Sequence, residues 1–148
     1  MKTFFLTALL LCLALVTGRA ESPSSLLPGR YMLVFTDLSS IGVTPNDKEQ
    51  ASKSPKEMRW PSLLKMRGAE VLMETRAPGG AQIKMSGAIK GTNVYLWMSG
   101  QERDRIVTYH LTGQLIDEHS ASGDLSIFTS HEKAAAGKWT LTKEPEPK

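Results

Sequence analysis

The chain has 148 residues, 41% of them hydrophobic, with 18 Lys and Arg against 15 Asp and Glu for a formal charge of +3. That length suits one domain able to bury a core of its own. The basic residues are interspersed with acidic ones instead of clustered, which argues against nucleic acid or another polyanion as partner.

Lys2, the apolar run Phe4 to Val16, and Gly18-Arg19-Ala20 with small residues at the −3 and −1 positions predict a cleavable secretory signal over residues 1–20. Its removal leaves 128 residues and, without Lys2 and Arg19, a charge of +1. The expected location is therefore secreted or periplasmic. The apolar run is shorter than the ~20 residues a spanning helix needs, and no second such run follows, so no integral membrane segment is expected in the mature chain. Cys12, the single cysteine, falls inside the leader. The mature chain then has no disulfide, and its stability rests on packing.

Glu21 to Leu27 is small and polar in character and reads as a flexible lead-in to a single domain over residues 21–143. After Pro28-Gly29, the segment Arg30 to Thr36 is rich in aromatic and β-branched residues and predicts the first strand. From Asp37 to about residue 58 the composition turns to Ser, Thr, Pro, Asn, Asp, Lys and Glu, which predicts a long polar loop. Trp60 to Arg76 admits either an amphipathic helix or a hairpin; the alternation around Val71 and Met73 and the central Gly68-Ala69 favour the hairpin.

Gln82 to Lys90 and Val94 to Met98 follow, separated by a turn near Gly91. Gly100 to Arg105 reads as an exposed hairpin tip. Along Ile106 to Ile116, Val107, Tyr109, Leu111, Gly113 and Leu115 share one face, while Thr108, His110, Thr112 and Gln114 share a wet one. Asp117 to Ser120 turns the chain into Gly123 to Thr129, Ser130 to Ala136 is a polar connection, and Gly137 to Thr142 is the last strand with Trp139 and Leu141 inward. Residues 144–148 form a flexible tail.

About eight short strands with hairpin-length connections predict an all-β fold, an antiparallel up-and-down meander closing into a small β-barrel with its last strand beside its first. A phrase recurs along the meander: Met85-Ser86-Gly87, Met98-Ser99-Gly100, Leu111-Thr112-Gly113 and Ala121-Ser122-Gly123. Its glycines are expected to mark bulges or bends where the sheet curves tightly.

The first strand opens with Gly29-Arg30-Tyr31 and the last with Gly137-Lys138-Trp139. This pattern resembles the Gly-x-Trp of calycin-like barrels, the lipocalin and avidin types and small bacterial secreted lipocalin-like domains, with Tyr31 in the Trp position. The resemblance covers roughly Pro28 to Lys143. It implies a barrel and an apolar ligand of unspecified identity; lipocalin cysteines and a biotin-site constellation are missing.

No constellation of activated residues predicts an enzyme. His110, His119 and His131 lack metal-ligand spacing, no cofactor is implied, and Asp117, Glu118, His119, Ser120 and Ser122 belong to a polar turn rather than a nucleophile elbow. The expected function is a non-catalytic binding module holding a small apolar or amphipathic ligand, with Tyr31, Trp97, Tyr109 and Trp139 as candidate contacts. The alternative is a protein-interaction domain, an inhibitor or envelope-associated adaptor. If Val94, Leu96 and Met98 fill the barrel, Tyr95 and Trp97 are exposed on its outside and available to such a partner.

Overall fold

Eight antiparallel strands run in chain order around a closed barrel: β1 (Gly29–Ser40), β2 (Glu57–Arg67), β3 (Glu70–Arg76), β4 (Gln82–Lys90), β5 (Asn93–Glu102), β6 (Arg105–Asp117), β7 (Ser120–Thr129) and β8 (Glu132–Lys143). The computed structural model describes residues 25–40, 57–77, 80–102, 105–130 and 132–145. The segment expected to be a leader and the interior of the expected polar loop lie outside them. The final strand pairs with the first, Leu33 opposite Leu141 and Phe35 opposite Trp139, so neither is left as a free edge. Residues 60–76 form the expected hairpin, turning at Gly68 with a positive φ of 62°.

The alternation of side chains places the core. Tyr31, Leu33 and Phe35 from β1, Trp60 and Leu64 from β2, Val71 and Met73 from β3, and Met85 and Ile89 from β4 are buried inside. Val94, Leu96 and Met98 from β5, Leu111 and Leu115 from β6, Leu125 from β7, and Trp139 and Leu141 from β8 complete the filling. Lys65, Lys84, Asp124 and Lys138 stand on the exposed face. Within this apolar interior Ser62 and Thr75 face each other across β2 and β3. Their hydroxyls are 2.9 Å apart, and they also donate to the Trp60 and Pro61 carbonyls, so neither is left unsatisfied.

The glycine phrase has a different use from the one expected. The β4–β5, β5–β6 and β6–β7 ladders run without a register shift through Gly87, Gly113 and Gly123. Gly113 and Gly123 are direct cross-strand partners. A Cβ on Gly123 would lie 2.0 Å from the Thr112 carbonyl oxygen, and one on Gly113 2.0 Å from that of Ser122. These glycines permit a close approach of β6 and β7 that no side chain would allow. They also clear the inner wall opposite Trp139, whose cross-strand partner is Gly123. The indole reaches across β7, its Nε1 donating to the Thr112 carbonyl at 3.2 Å. The register shifts fall elsewhere, between Thr36 and Ser39, between Leu115 and Asp117, and between Ile127 and Phe128.

Strand boundaries differ from the sequence reading at several points, β2 beginning at Glu57 and β7 at Ser120 among them. β1 continues beyond Thr36 to Ser40, because Asp37 takes a positive φ of 52° and the ladder with β8 resumes at Ser39. β8 begins at Glu132 instead of Gly137: the small residues Ala134 to Ala136, read as a connection, lie within this strand. Pairing of β5 with β6 extends to Glu102 and Arg105, narrowing the hairpin tip.

Candidate functional site

The two ends of the barrel are unlike. At the near end, where β1 starts, the hairpins are tight and are laced by backbone bonds from Ile89 to Ala69, Leu115 to Thr92 and Lys143 to His119, all 2.8 to 2.9 Å. The lead-in, expected to be flexible, is part of this closure in its described portion. Leu26 is buried, the Leu27 N–H donates to the Glu118 carbonyl at 2.9 Å, and the Tyr31 hydroxyl donates to the Leu27 carbonyl at 2.7 Å. Burial, reinforced by the carboxylates of Asp117 and Glu118, pushes the Tyr31 phenol up to about 12. Tyr31 therefore seals the near end as a neutral hydrogen-bond donor.

At the far end, β1 gives way to β2, β3 to β4, β5 to β6 and β7 to β8. Under it sits an aromatic cluster. Phe35 and Trp60 meet edge to face with centroids 4.9 Å apart, and Tyr109 lies 6.1 Å from Trp60 and 6.5 Å from Phe35. Leu38, Met58, Ile83 and Ile127 pack around this core as half-buried neighbours. The Trp60 Nε1 is fully buried and has no hydrogen-bond partner among the described residues. Such an orphaned donor is uncommon in a core.

The four candidate contacts do not converge. Tyr31 is buried at the near end, Trp139 is buried in the middle, Tyr109 belongs to the far-end cluster, and Trp97 is 47% exposed on the outer surface. Of the two aromatics that the structure joins to Tyr109, Trp60 is among those whose sequence character suits a cavity lining, with Tyr95, Trp97, Tyr109 and Trp139, whereas Phe35 is not. Their signal was present in the alternation of Tyr31, Leu33 and Phe35 and in Trp60 at the head of the hairpin. A ligand deep in the barrel would have to displace Leu96, Leu111, Leu125 and Trp139, each almost wholly buried.

The outer face of β5, β6 and β7 is the other concentration of functional groups. Tyr95 and Trp97 project from β5, each nearly half exposed. Their β4 partners are small, Ala88 beside Tyr95 and Ser86 beside Trp97. On the β6 side Trp97 faces His110, whose ring lies 5.2 Å from Phe128. Next to Tyr95 runs a groove of about 420 Å³ walled by Asn93, Tyr95, Thr112, Gln114, Ser122 and Asp124, with Gly113 and Gly123 as its floor. Asp124 pairs with Lys138 at 2.5 Å and raises the lysine's affinity for its proton. Two further hollows open on the wall, one of about 440 Å³ where β2 and β3 part around Pro61 and one of about 300 Å³ over Lys65, Leu72 and Lys84.

The polar turn between β6 and β7 has a structural task. The Asp117 carboxylate accepts from the His119 N–H at 2.7 Å and the Ser120 hydroxyl at 2.9 Å, bonds that hold its pKa below the ordinary value. Ser120 thus spends its proton on closing a hairpin. His110 lies on the outer wall and His119 at the near-end turn; His131 lies outside the described residues. Among the described residues no three His, Cys, Asp or Glu side chains gather as a metal site would require, and no helix is long and apolar enough to cross a membrane.

The fold and this surface define a closed, up-and-down, eight-stranded antiparallel barrel with an apolar filling and an aromatic outer face. No protein-family model matches the sequence, and no curated protein matches it.

Proposed function

We propose that the chain is an exported, non-catalytic recognition module that uses its filled barrel as a scaffold and makes contact through the outer face of β5 to β7. The observation that carries this reading is the exposure of Tyr95 and Trp97 on one face of a strand whose opposite face, Val94, Leu96 and Met98, is buried. Exposed aromatics beside a formed groove mark recognition surfaces more often than a plain solvated wall. The density of the interior supports the same reading, since it leaves the surface as the place for binding.

A second reading rests on Trp60. Its buried Nε1, unpaired among the described residues, supports a small amphipathic ligand seated at the far end with an acceptor oxygen directed at the indole. The Gly-x-aromatic phrases at Gly29 and Gly137, with Tyr31 and Trp139 both buried in a closed barrel, support kinship with the calycin-like barrels.

The test is retention of labelled mature protein on surface material from the source cell. The double variant Tyr95→Ser/Trp97→Ser, changed only at exposed positions, is expected to lose at least tenfold in retention with its thermal transition preserved. Trp60→Phe is expected to bind as the unaltered chain does. The reverse pattern would transfer the function to the far end.

A further inference from the structure

The geometry points to a neutral saccharide as the ligand of the β5–β7 face, an assignment that rests on the reading above. Two kinds of group meet there. Tyr95 and Trp97 lie two residues apart on β5, about 7 Å along the strand, each nearly half exposed and beside a small β4 partner, Ala88 and Ser86. Adjacent to them, the groove presents the Asn93 and Gln114 amides and the Thr112 and Ser122 hydroxyls around a floor of glycine backbone. Amides and hydroxyls both donate and accept, which matches the hydroxyls of a sugar ring, while the ring's C–H face suits an aromatic plane.

Competing ligand classes fit this lining less well. An apolar molecule would desolvate four hydrogen-bonding side chains without replacing their bonds. An anion would find no Lys or Arg among the groove's walls. A cation would find one carboxylate already paired with Lys138. A folded protein partner generally covers about 20–30 residues on each side, against the eight that line this groove. The groove and its flanking rings have the dimensions of one or a few sugar units.

Affinity electrophoresis tests this with the mature protein in native gels containing a neutral β-glucan, a galactomannan, a neutral N-acetylglucosamine polymer made soluble by glycol substitution, or a polyanionic heparin. Retardation by at least one neutral polymer and not by heparin is expected. Tyr95→Ala, Trp97→Ala and Asn93→Ala should each weaken it more than tenfold, with Trp60→Phe unchanged. Absence of retardation in every neutral gel would overturn the inference, as would retardation that all three variants retain. Sedimentation as a dimer that Trp97→Ala converts to monomer would also overturn it, assigning the face to a second copy of the chain. If the neutral polymers fail while Tyr95→Ser/Trp97→Ser still abolishes retention on surface material, the saccharide falls and the recognition face stands; if that retention survives as well, both fall.

Discussion

Tyr31 shows how one side chain can join chain entry, core and turn. Its ring fills the barrel's near end while its hydroxyl holds the Leu27 carbonyl, and Leu27 in turn holds the β6–β7 hairpin through Glu118. Because its surroundings are acceptors and carboxylates, the neutral phenol is the form the fold favours. A phenol raised from 10.0 to about 12 contributes stability that is fully present below pH 10 and is lost as pH rises from 10 to 12. At ~1.4 kcal/mol per pH unit this amounts to about 2–3 kcal/mol. Chemical denaturation of the native chain and of Tyr31→Phe across that range checks it. The native chain is expected to be the more stable near neutrality, by ~1 kcal/mol from the hydrogen bond, and to fall below the variant by pH 12. Parallel pH dependences would show that the phenol is free to ionise in the fold.

At the scale of strands, the close pair Gly113 and Gly123 does what larger residues cannot. Gly123→Ala would press a methyl group against the Thr112 carbonyl and displace the Trp139 indole resting on that wall. A loss of about 3 kcal/mol is expected, at the upper end for overpacking. Gly100 ends another copy of the same phrase but has open space where its Cβ would be. Gly100→Ala should change stability by no more than ~0.5 kcal/mol. Thermal unfolding of the two variants separates steric need from a repeated sequence habit; equal effects would remove the close-approach explanation.

That contrast shows what the sequence could convey. Alternation identified the inward face of β6 and the inward pair Trp139 and Leu141, since burying one face of a strand imposes a period of two residues. It also placed Tyr95 and Trp97 outside once Val94, Leu96 and Met98 were assigned inside. Gly87, Gly100, Gly113 and Gly123 looked alike because local sequence contains no information about the neighbouring strand. Pairing register makes Gly123 the partner of Trp139 and leaves Gly100 in open space. The extensions of β1 and β8 were hidden for a related reason. Asp37 and Ala134 to Ala136 have weak strand preference, and the ladder between the first and last strands overrides it. The groove was legible only in part: Thr112 and Gln114 were recognised as a wet face, whereas Asn93, Ser122 and Asp124 join them only after β5, β6 and β7 are laid side by side.

Over the whole molecule, filling and function are linked. A barrel of eight strands is either packed by its own side chains or barely wide enough for one small ligand. Here Trp139, Tyr31, Phe35 and a set of leucines and methionines occupy it, and a large aromatic lies near each end. Closure of β1 on β8 and the laced near end fix the outer strands, so that β5, β6 and β7 present their exposed side chains from a rigid wall. Recognition on such a wall needs no opening of the core, and stability and binding can vary independently.

The three tryptophans make this testable in one spectrum, because Trp139 lies in the core, Trp60 beneath the far end and Trp97 on the outer face. The most direct measurement is the indole N–H region of an NMR spectrum of ¹⁵N-labelled protein, recorded during titration with soluble extract of the surface material that retains it. The account predicts that the Trp97 resonance shifts or broadens with added extract while those of Trp60 and Trp139 hold their positions. Movement of the Trp60 resonance with Trp97 unchanged would contradict it and place the binding site inside the mouth of the barrel.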